Sequence, residues 1–359
     1  MAYRGLENNT PYKAELALLA DENSRDIMLV LVKQTYDIHP DGKLTVAEEQ
    51  VDICFEGEYF GEPGESSLKV APEANFCKLA TDVVLIGQAY APKGVPVSEL
   101  DAGIKVGELQ MHVKVFGDRV WKKNVTAGIV NWYRTEPQAF TTMPLVFENA
   151  FGGKDLTPDN QAHYAFEPKN LVGKGVIAKK SKLDEVFLPN IEDPRNLIKS
   201  PGDRPTPVGF GFVSPDWQPR LNYAGTYDKQ WEQNRLPKLP LDFKREFFNA
   251  AHPMLTAKRF LNGDEPVILV NVCEQGNITF NLPGQKPQIQ IKFQFKDPQE
   301  LNLDLDTVII NTDDMQAILL WRATRDIFNR IYEIEKIIVS ENQEPGQVQI
   351  IPEKYEITV

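Results

Sequence analysis

The sequence predicts a mainly β protein: antiparallel sheets in two packed β-rich, sandwich-like lobes, with a long Pro/Gly/aromatic-rich covering segment and a few short helices. Three observations predict it. Apolar residues alternate along several stretches, as in Gly107–Phe116, where Leu109, Met111, Val113 and Val115 share a face, and in Gln288–Phe295. A period of two belongs to a half-buried strand. Turn residues separate such runs, as at Pro40-Asp41-Gly42 and Glu274-Gln275-Gly276-Asn277. Between residues 136 and 253 the alternation fades and prolines crowd together, from Pro189 and Pro194 through Pro201, Pro205, Pro207, Pro215 and Pro219. That density excludes a regular sheet interior. The expected division is an N-terminal antiparallel lobe (1–135), an ordered excursion packed on the sheets (136–253) and a C-terminal β lobe (254–359).

In chain order, Ile27–Ile38 is apolar and β-branched, and Leu44–Phe55 returns after the Pro40-Asp41-Gly42 turn as the second strand of a hairpin. Glu56–Glu65 carries four acids and no base and reads as a solvated loop. Ala80–Tyr90 reads as a buried strand, and the alternation of Gly107–Phe116 continues through a turn at Gly117-Asp118 into Arg119-Val120-Trp121. The middle segment is too aromatic for disorder, with Phe187, Phe210, Phe212, Trp217, Tyr223, Tyr227, Trp231, Phe243, Phe247 and Phe248 to bury. Two helices are expected in it, with Asp228 capping Lys229–Arg235 and Asp242 capping Phe243–Ala250. Strands resume with the hairpin of Pro266–Cys273 and Ile278–Leu282, then Gln288–Phe295 and Asp306–Asn311. Met315–Phe328 suits either a helix or a strand, and Ile331–Val339 and Gln347–Val359 read as closing strands. The echo between Thr81-Asp82-Val83-Val84 and Leu305-Asp306-Thr307-Val308 is compatible with a diverged duplication.

At 359 residues with 42% hydrophobic and 25% charged positions, the chain can bury a sizeable core. A net charge of −12 opposes a general nucleic-acid or anionic-membrane surface. Cys54, Cys77 and Cys273 are three, far apart and without CxxC spacing, which suits a reducing compartment. The start, MAYRGLENNTPYKAEL, lacks the basic and then apolar pattern of a secretory signal, and no run approaches a bilayer span. A cytoplasmic protein without membrane insertion is expected.

Motifs for chemistry are few. Gly152-Gly153-Lys154-Asp155 lacks the spacing and the Ser/Thr of a phosphate loop, and no GxSxG occurs. His39, His112, His163 and His252 are scattered, without the i, i+4 pairing of a helical zinc site. No catalytic residue, cofactor or metal is therefore expected. The carboxylates among the central aromatics, Glu148 and Asp228 above all, leave one enzymatic alternative, a carbohydrate-active hydrolase or glycan-binding protein. Aromatics with exposed cations fit a binding surface better. The candidate partner-binding residues are Lys169, Lys174, Lys179, Lys180 and Lys182, from a segment with five lysines and no acid, with Trp217, Tyr227 and Trp231.

One block, Met143–Gly153 (MPLVFENAFGG), reads as a packing device with a single charge inside it. Pro144, Glu148, Phe151, Gly152 and Gly153 are its expected structural residues, joined by Arg220 further on. Glu148 is expected to be at least half-buried, held by a backbone group or by Arg119, Arg134 or Arg220. Gly152 and Gly153 would be the point where the first β layer hands the chain to the covering segment.

The order of these motifs resembles a bacterial family of type VI secretion effector adaptors, or effector chaperones, long catalogued as a domain of unknown function. The resemblance runs from Asn8-Asn9-Thr10-Pro11 and Val32-Lys33-Gln34-Thr35-Tyr36 through Phe116-Gly117-Asp118-Arg119-Val120-Trp121 and the Met143–Gly153 block. It continues through Asn170–Gly175, Leu188–Pro194, Pro207–Gly211, Trp217-Gln218-Pro219-Arg220, Gly225–Trp231 and Gly263-Asp264-Glu265 to Trp321-Arg322. Departures fall at Asn149, at Asn170-Leu171 and at Ala251–Met254, and bear on cargo rather than family. The resemblance implies a non-enzymatic carrier of one cognate toxic effector. Such a carrier would stabilise its client in the cytoplasm and help load it onto a trimeric spike protein and its cone-shaped tip protein. It also leaves open a structural piece of the spike itself.

Overall fold

The structure, a computed structural model, describes residues 5–328 and 330–341. The strands expected at Gln347–Ile351 and Glu353–Val359 lie outside the described residues. The protein is mainly β; the described residues form several sheets, one short helix and a series of 3₁₀ turns.

The central sheet runs Lys13–Ala20, Asp26–Ile38, Gln316–Asp326, Asp304–Asn311, Asp82–Ile86, with Leu44–Val46 also pairing to Asp26–Ile38. Its organising strand, Asp26–Ile38, is buried along almost its whole length. The strand period sends alternate side chains to opposite faces. Met28, Val30 and Val32 therefore enter the main core, whereas Leu29 and Leu31 enter a smaller one with Ile53 and Leu320. The ambiguous Met315–Phe328 stretch is a strand, Gln316–Asp326, because it lies between two strands that complete its hydrogen bonding.

A five-stranded antiparallel sheet, ordered Ile191–Glu192, Leu109–Phe116, Glu99–Val106, Pro266–Val270, Ile278–Asn281, faces the main core with Ile104, Val106, Met111, Val113, Val267 and Leu269. A third sheet pairs Leu6–Asn8, Ile334–Ser340, Gln288–Phe293 and Gln299–Leu301. Strand pairing does not follow the expected division at residues 135 and 254: each of these sheets combines strands from before and after the central segment. The echoing segments illustrate this, since Asp82–Ile86 and Asp304–Asn311 lie side by side, parallel, with Asp82 opposite Thr307.

Three local expectations are corrected. The returning strand of the first hairpin is only Leu44–Val46. Beyond it the Gln50 side-chain amide takes the place of a ladder partner, its Oε1 accepting from Thr35 N at 2.8 Å and its Nε2 donating to Thr35 O at 2.9 Å. Asp242 caps no helix: its carboxylate accepts from Thr226 N and Oγ1, and the chain after it forms only the 3₁₀ turn Arg245–Phe248. Ala80–Tyr90 is two strands in different sheets, Asp82–Ile86 and Gln88–Tyr90. The helix capped by Asp228 is present as Lys229–Asn234, with Asp228 Oδ1 accepting from Trp231 N at 2.8 Å.

Candidate functional site

The Met143–Gly153 block joins the main core to a satellite core. Met143 pairs with Ala89, and Phe147–Asn149 forms a 3₁₀ turn with Phe147 buried. Phe151-Gly152 then pairs in parallel with Lys174-Gly175. Asn170, fully buried, knots this crossing together: its Nδ2 donates to Phe147 O at 2.8 Å and to Phe151 O at 3.0 Å, and its carbonyl accepts from Gly153 N at 2.8 Å. The backbones approach so closely that a Cβ on Gly152 would lie 2.3 Å from Asn170 O. A Cβ on Gly153 would lie 2.2 Å from Gly173 O, at a φ of +82° that L side chains avoid. The two glycines thus serve contact between segments. Pro144, in the short strand paired to Gln88–Tyr90, is exposed and lies outside this contact.

Glu148 is half-buried and is held by Ser67, whose amide donates to Oε1 and whose hydroxyl donates to Oε2, both at 2.7 Å. The expected arginines are engaged elsewhere. Arg119 is buried against Glu192, Arg134 donates to Ile198 O at 3.1 Å, and Arg220 donates to Phe247 O and Val213 O.

The satellite core contains Trp121, Phe151, Val176, Ile177, Val186, Leu188 and Ile198. Over it lies a three-stranded sheet, Ile129–Arg134, Val120–Thr126, Glu185–Phe187. Trp121 opposes Val186, and Lys123 opposes Trp132 on the same face, so the base of the Val120–Arg134 hairpin is packed. Its tip is not. Val125 and Val130 are directly opposed and 60% and 49% exposed, and Ile129 on the other face is 64% exposed. Tyr133 and Phe187 continue that second face and are also more than half exposed. The hairpin turn, Ala127-Gly128, has positive φ at both residues, the geometry of a two-residue connection that follows the strand twist. The sequence carried a signal for this site: the apolar positions of Val125–Val130 are separated by that turn without any charged residue.

The lysine segment borders this hairpin. Lys123 N donates to Asp184 O at 2.8 Å, and Lys123 Nζ lies 3.4 Å from Ser181 O. Of the five candidate lysines, Lys169, Lys179 and Lys180 are exposed, and Lys182 is exposed but ion-paired with Asp159. Lys174 turns inward and donates to Asn190 Oδ1 at 2.8 Å, and burial pulls its ammonium below the usual lysine range. Lys174 therefore belongs to the packing and not to an exposed patch.

The candidate aromatics also divide. Trp217 is 2% exposed and meets Phe147 edge-on at 5.5 Å between centroids, so it is core material and not a contact surface. Tyr227 is exposed and packs edge-on against the half-buried Trp231 at 4.7 Å, while Trp231 Nε1 donates to Lys238 O at 2.9 Å. Arg220 is buried, with its guanidinium 5.1 Å from the Phe247 ring.

Two observations bear on chemistry. Glu148 and Asp228, the acids of the hydrolase alternative, both accept hydrogen bonds that hold local structure. Among the described residues no group of three or more His, Cys, Asp or Glu side chains is arranged to hold a metal, and no helix is long and apolar enough to cross a membrane.

A sequence model of the family described as "Uncharacterized protein conserved in bacteria (DUF2169)" matches residues 23–322. No curated protein matches the chain, and no solved structure matches it.

Proposed function

We infer a binding role for this chain, which belongs to the DUF2169 family of proteins conserved in bacteria. In this reading it is a non-enzymatic adaptor of the type VI secretion system. It binds a cognate toxic effector in the cytoplasm, stabilises it and helps load it onto the spike protein. The motif resemblance supplies the secretion context. The observation that carries the binding role is the exposed tip of the Val120–Arg134 hairpin, where Val125, Ile129 and Val130 lie open beside the segment bearing Lys179 and Lys180. An apolar centre with cations at its margin is common interface material. A carrier that binds only the folded client through this tip would shift the client toward its folded state by mass action. The glycan alternative rests on Glu148 or Asp228, and no observation favours it over their structural roles.

The test is co-expression with a candidate cognate toxin, reading soluble toxin and co-purification. Val125→Asp with Val130→Asp should lower co-purification at least about tenfold while leaving the fold intact, because hot spots of this kind are worth 2 kcal/mol or more. Lys179→Glu with Lys180→Glu should weaken capture less and reduce its salt dependence. Undiminished capture by the valine variant would remove the hairpin from the reading. Unchanged toxin solubility without the protein would remove the stabilising role.

A further inference from the structure

Four other buried cations among the described residues are matched with carboxylates. Lys33 lies 2.8 Å from Glu73, Lys78 2.9 Å from Asp82 and Arg322 2.6 Å from Asp306, and Arg119 is paired with Glu192. Arg220 differs. It is 6% exposed, and among the described residues no carboxylate forms an ion pair with it. Its Nε donates to Phe247 O at 2.9 Å and its Nη1 to Val213 O at 2.6 Å. Nη2 donates to no described group and yet is not sealed away from solvent-accessible space. Asp82, the carboxylate that acts most strongly on Arg220, has its oxygens committed to Lys78 Nζ, to Ala250 N at 2.6 Å and to Asn249 Nδ2 at 3.0 Å. Burial draws the Arg220 guanidinium down to about 10, so it remains cationic at neutral pH.

A buried charge with a free donor is costly unless something anionic completes it. Beside Arg220 is a cavity of about 290 Å³, walled mainly by Leu79, Val213, Pro219, Ala251, Pro253 and Ala257. The exposed side chains of Lys258 and Glu246 also line it. Its volume is at the lower end of small-molecule sites, which run from roughly 300 Å³ upward and combine apolar walls with a few placed polar groups.

We propose that this cavity binds a small organic acid, with the Arg220 guanidinium, which lines it, drawing the carboxylate and the apolar wall covering an alkyl or aryl body about the size of a phenylpropanoate. The proposal is independent of the adaptor reading, since it uses none of the hairpin residues. It also gives Arg220, singled out in the sequence beside Trp217, a role that its two backbone contacts leave incomplete.

The test titrates the full chain with 3-phenylpropanoate and with its neutral isostere 3-phenylpropanamide, followed by calorimetry or protein-observed NMR. The acid should bind at least about tenfold more tightly than the amide, the scale of a charge-assisted hydrogen bond. Because Arg220 also fastens two backbone segments, its replacement is a poor control. Leu79→Trp is the better one: Leu79 is 44% exposed on the cavity wall, so a larger ring there should obstruct the cavity and leave thermal stability unchanged. It should weaken the acid at least about tenfold. Equal affinity for acid and amide, no acid binding at millimolar concentration, or undiminished binding by folded Leu79→Trp would each overturn the proposal. A peptide ending in a free carboxylate that binds tenfold more tightly than the small acid would overturn the choice of ligand.

Discussion

Gly153→Ala and Gly128→Ala form a matched pair that isolates the cost of filling the crossing at Asn170. Both glycines have similar backbone conformations, with φ of +82° and +78°. Alanine at either position therefore carries a similar left-handed backbone penalty, roughly 1–2 kcal/mol. Their surroundings differ. A Cβ at Gly128 meets nothing within 4 Å, whereas a Cβ at Gly153 lies 2.2 Å from Gly173 O and 3.1 Å from Gly173 C. Both contacted atoms are backbone, so no side chain can swing away. Relief requires the two segments to separate, which loosens the bonds from Gly153 N to Asn170 O at 2.8 Å and from Glu167 N to Gly153 O at 3.0 Å. Two weakened buried hydrogen bonds add about 2–3 kcal/mol to the backbone term. Gly153→Ala should then cost about 3–5 kcal/mol and Gly128→Ala about 1–2 kcal/mol, with Gly153→Val worse than either. Urea unfolding followed by tryptophan fluorescence measures the difference, provided the transition slope is unchanged. Equal destabilisation by the two alanines would refute the steric argument. A stable Gly153→Val protein that failed to bind its client would place the block on the binding face instead.

Further outcomes follow from the polar groups. Asp306→Asn should cost about 3–5 kcal/mol in chemical denaturation, since it leaves the buried Arg322 and Lys78 without the carboxylate that Nε of Arg322 contacts at 2.6 Å. Removing Asp159 from its exposed pair with Lys182 should cost little. His252 is buried and its imidazole is held down to about 4 from an ordinary 6.5, chiefly by desolvation. The folded state therefore binds fewer protons than the unfolded one. Stability from this group is present above pH 6.5, falls between pH 6.5 and about 4, and is level below that. The loss amounts to at most roughly 3 kcal/mol. His252→Gln should flatten that part of the pH–stability curve, and an unchanged slope would count against a buried neutral imidazole.

Much of the fold was legible where one physical signal acted alone. Asp26–Ile38 is a long β-branched run and is a strand, and Asp228 caps its helix by accepting from Trp231 N three residues on. Legibility failed where tertiary partners chose between local options. Lys13–Ala20 shows no clean alternation because the edge strand packs on both faces, with Ala14 and Leu16 on the main core and Ala17 and Leu19 on the smaller one. Asp242 looked like a second cap, but Thr226, sixteen residues earlier, offered it two donors. Around the candidate site, composition marked lysines and aromatics as residue types, but it does not say which of them are exposed: Trp217 is buried and Lys174 turns inward. Whether Trp217 or Val125 faces solvent depends on which sheet covers it, and that is set by pairing across the whole chain.

The echoing acids Asp82 and Asp306 show how such pairing is specified. Their strands are parallel neighbours, and both carboxylates reach Lys78, at 2.9 Å and 3.4 Å. Two adjacent buried anions would repel, so the arrangement depends on Lys78 and on Arg322, whose guanidinium also donates to the carbonyl of Glu73 at 2.6 Å. Asp306 sits where the pairing with Gln316–Asp326 shifts register, between Leu305 opposite Trp321 and Thr307 opposite Leu320. A bulge of this kind re-aims one side chain while the strand continues. Leu305, Val308 and Ile310 remain in the main core, and the extra residue delivers its carboxylate to Lys78 and Arg322. A slip of one residue would exchange the two faces, taking Asp306 away from both cations and turning apolar side chains toward them. The buried ions thus oppose alternative registers in a sheet assembled from both sides of the central segment, a role that does not require them to add net stability over an apolar substitute.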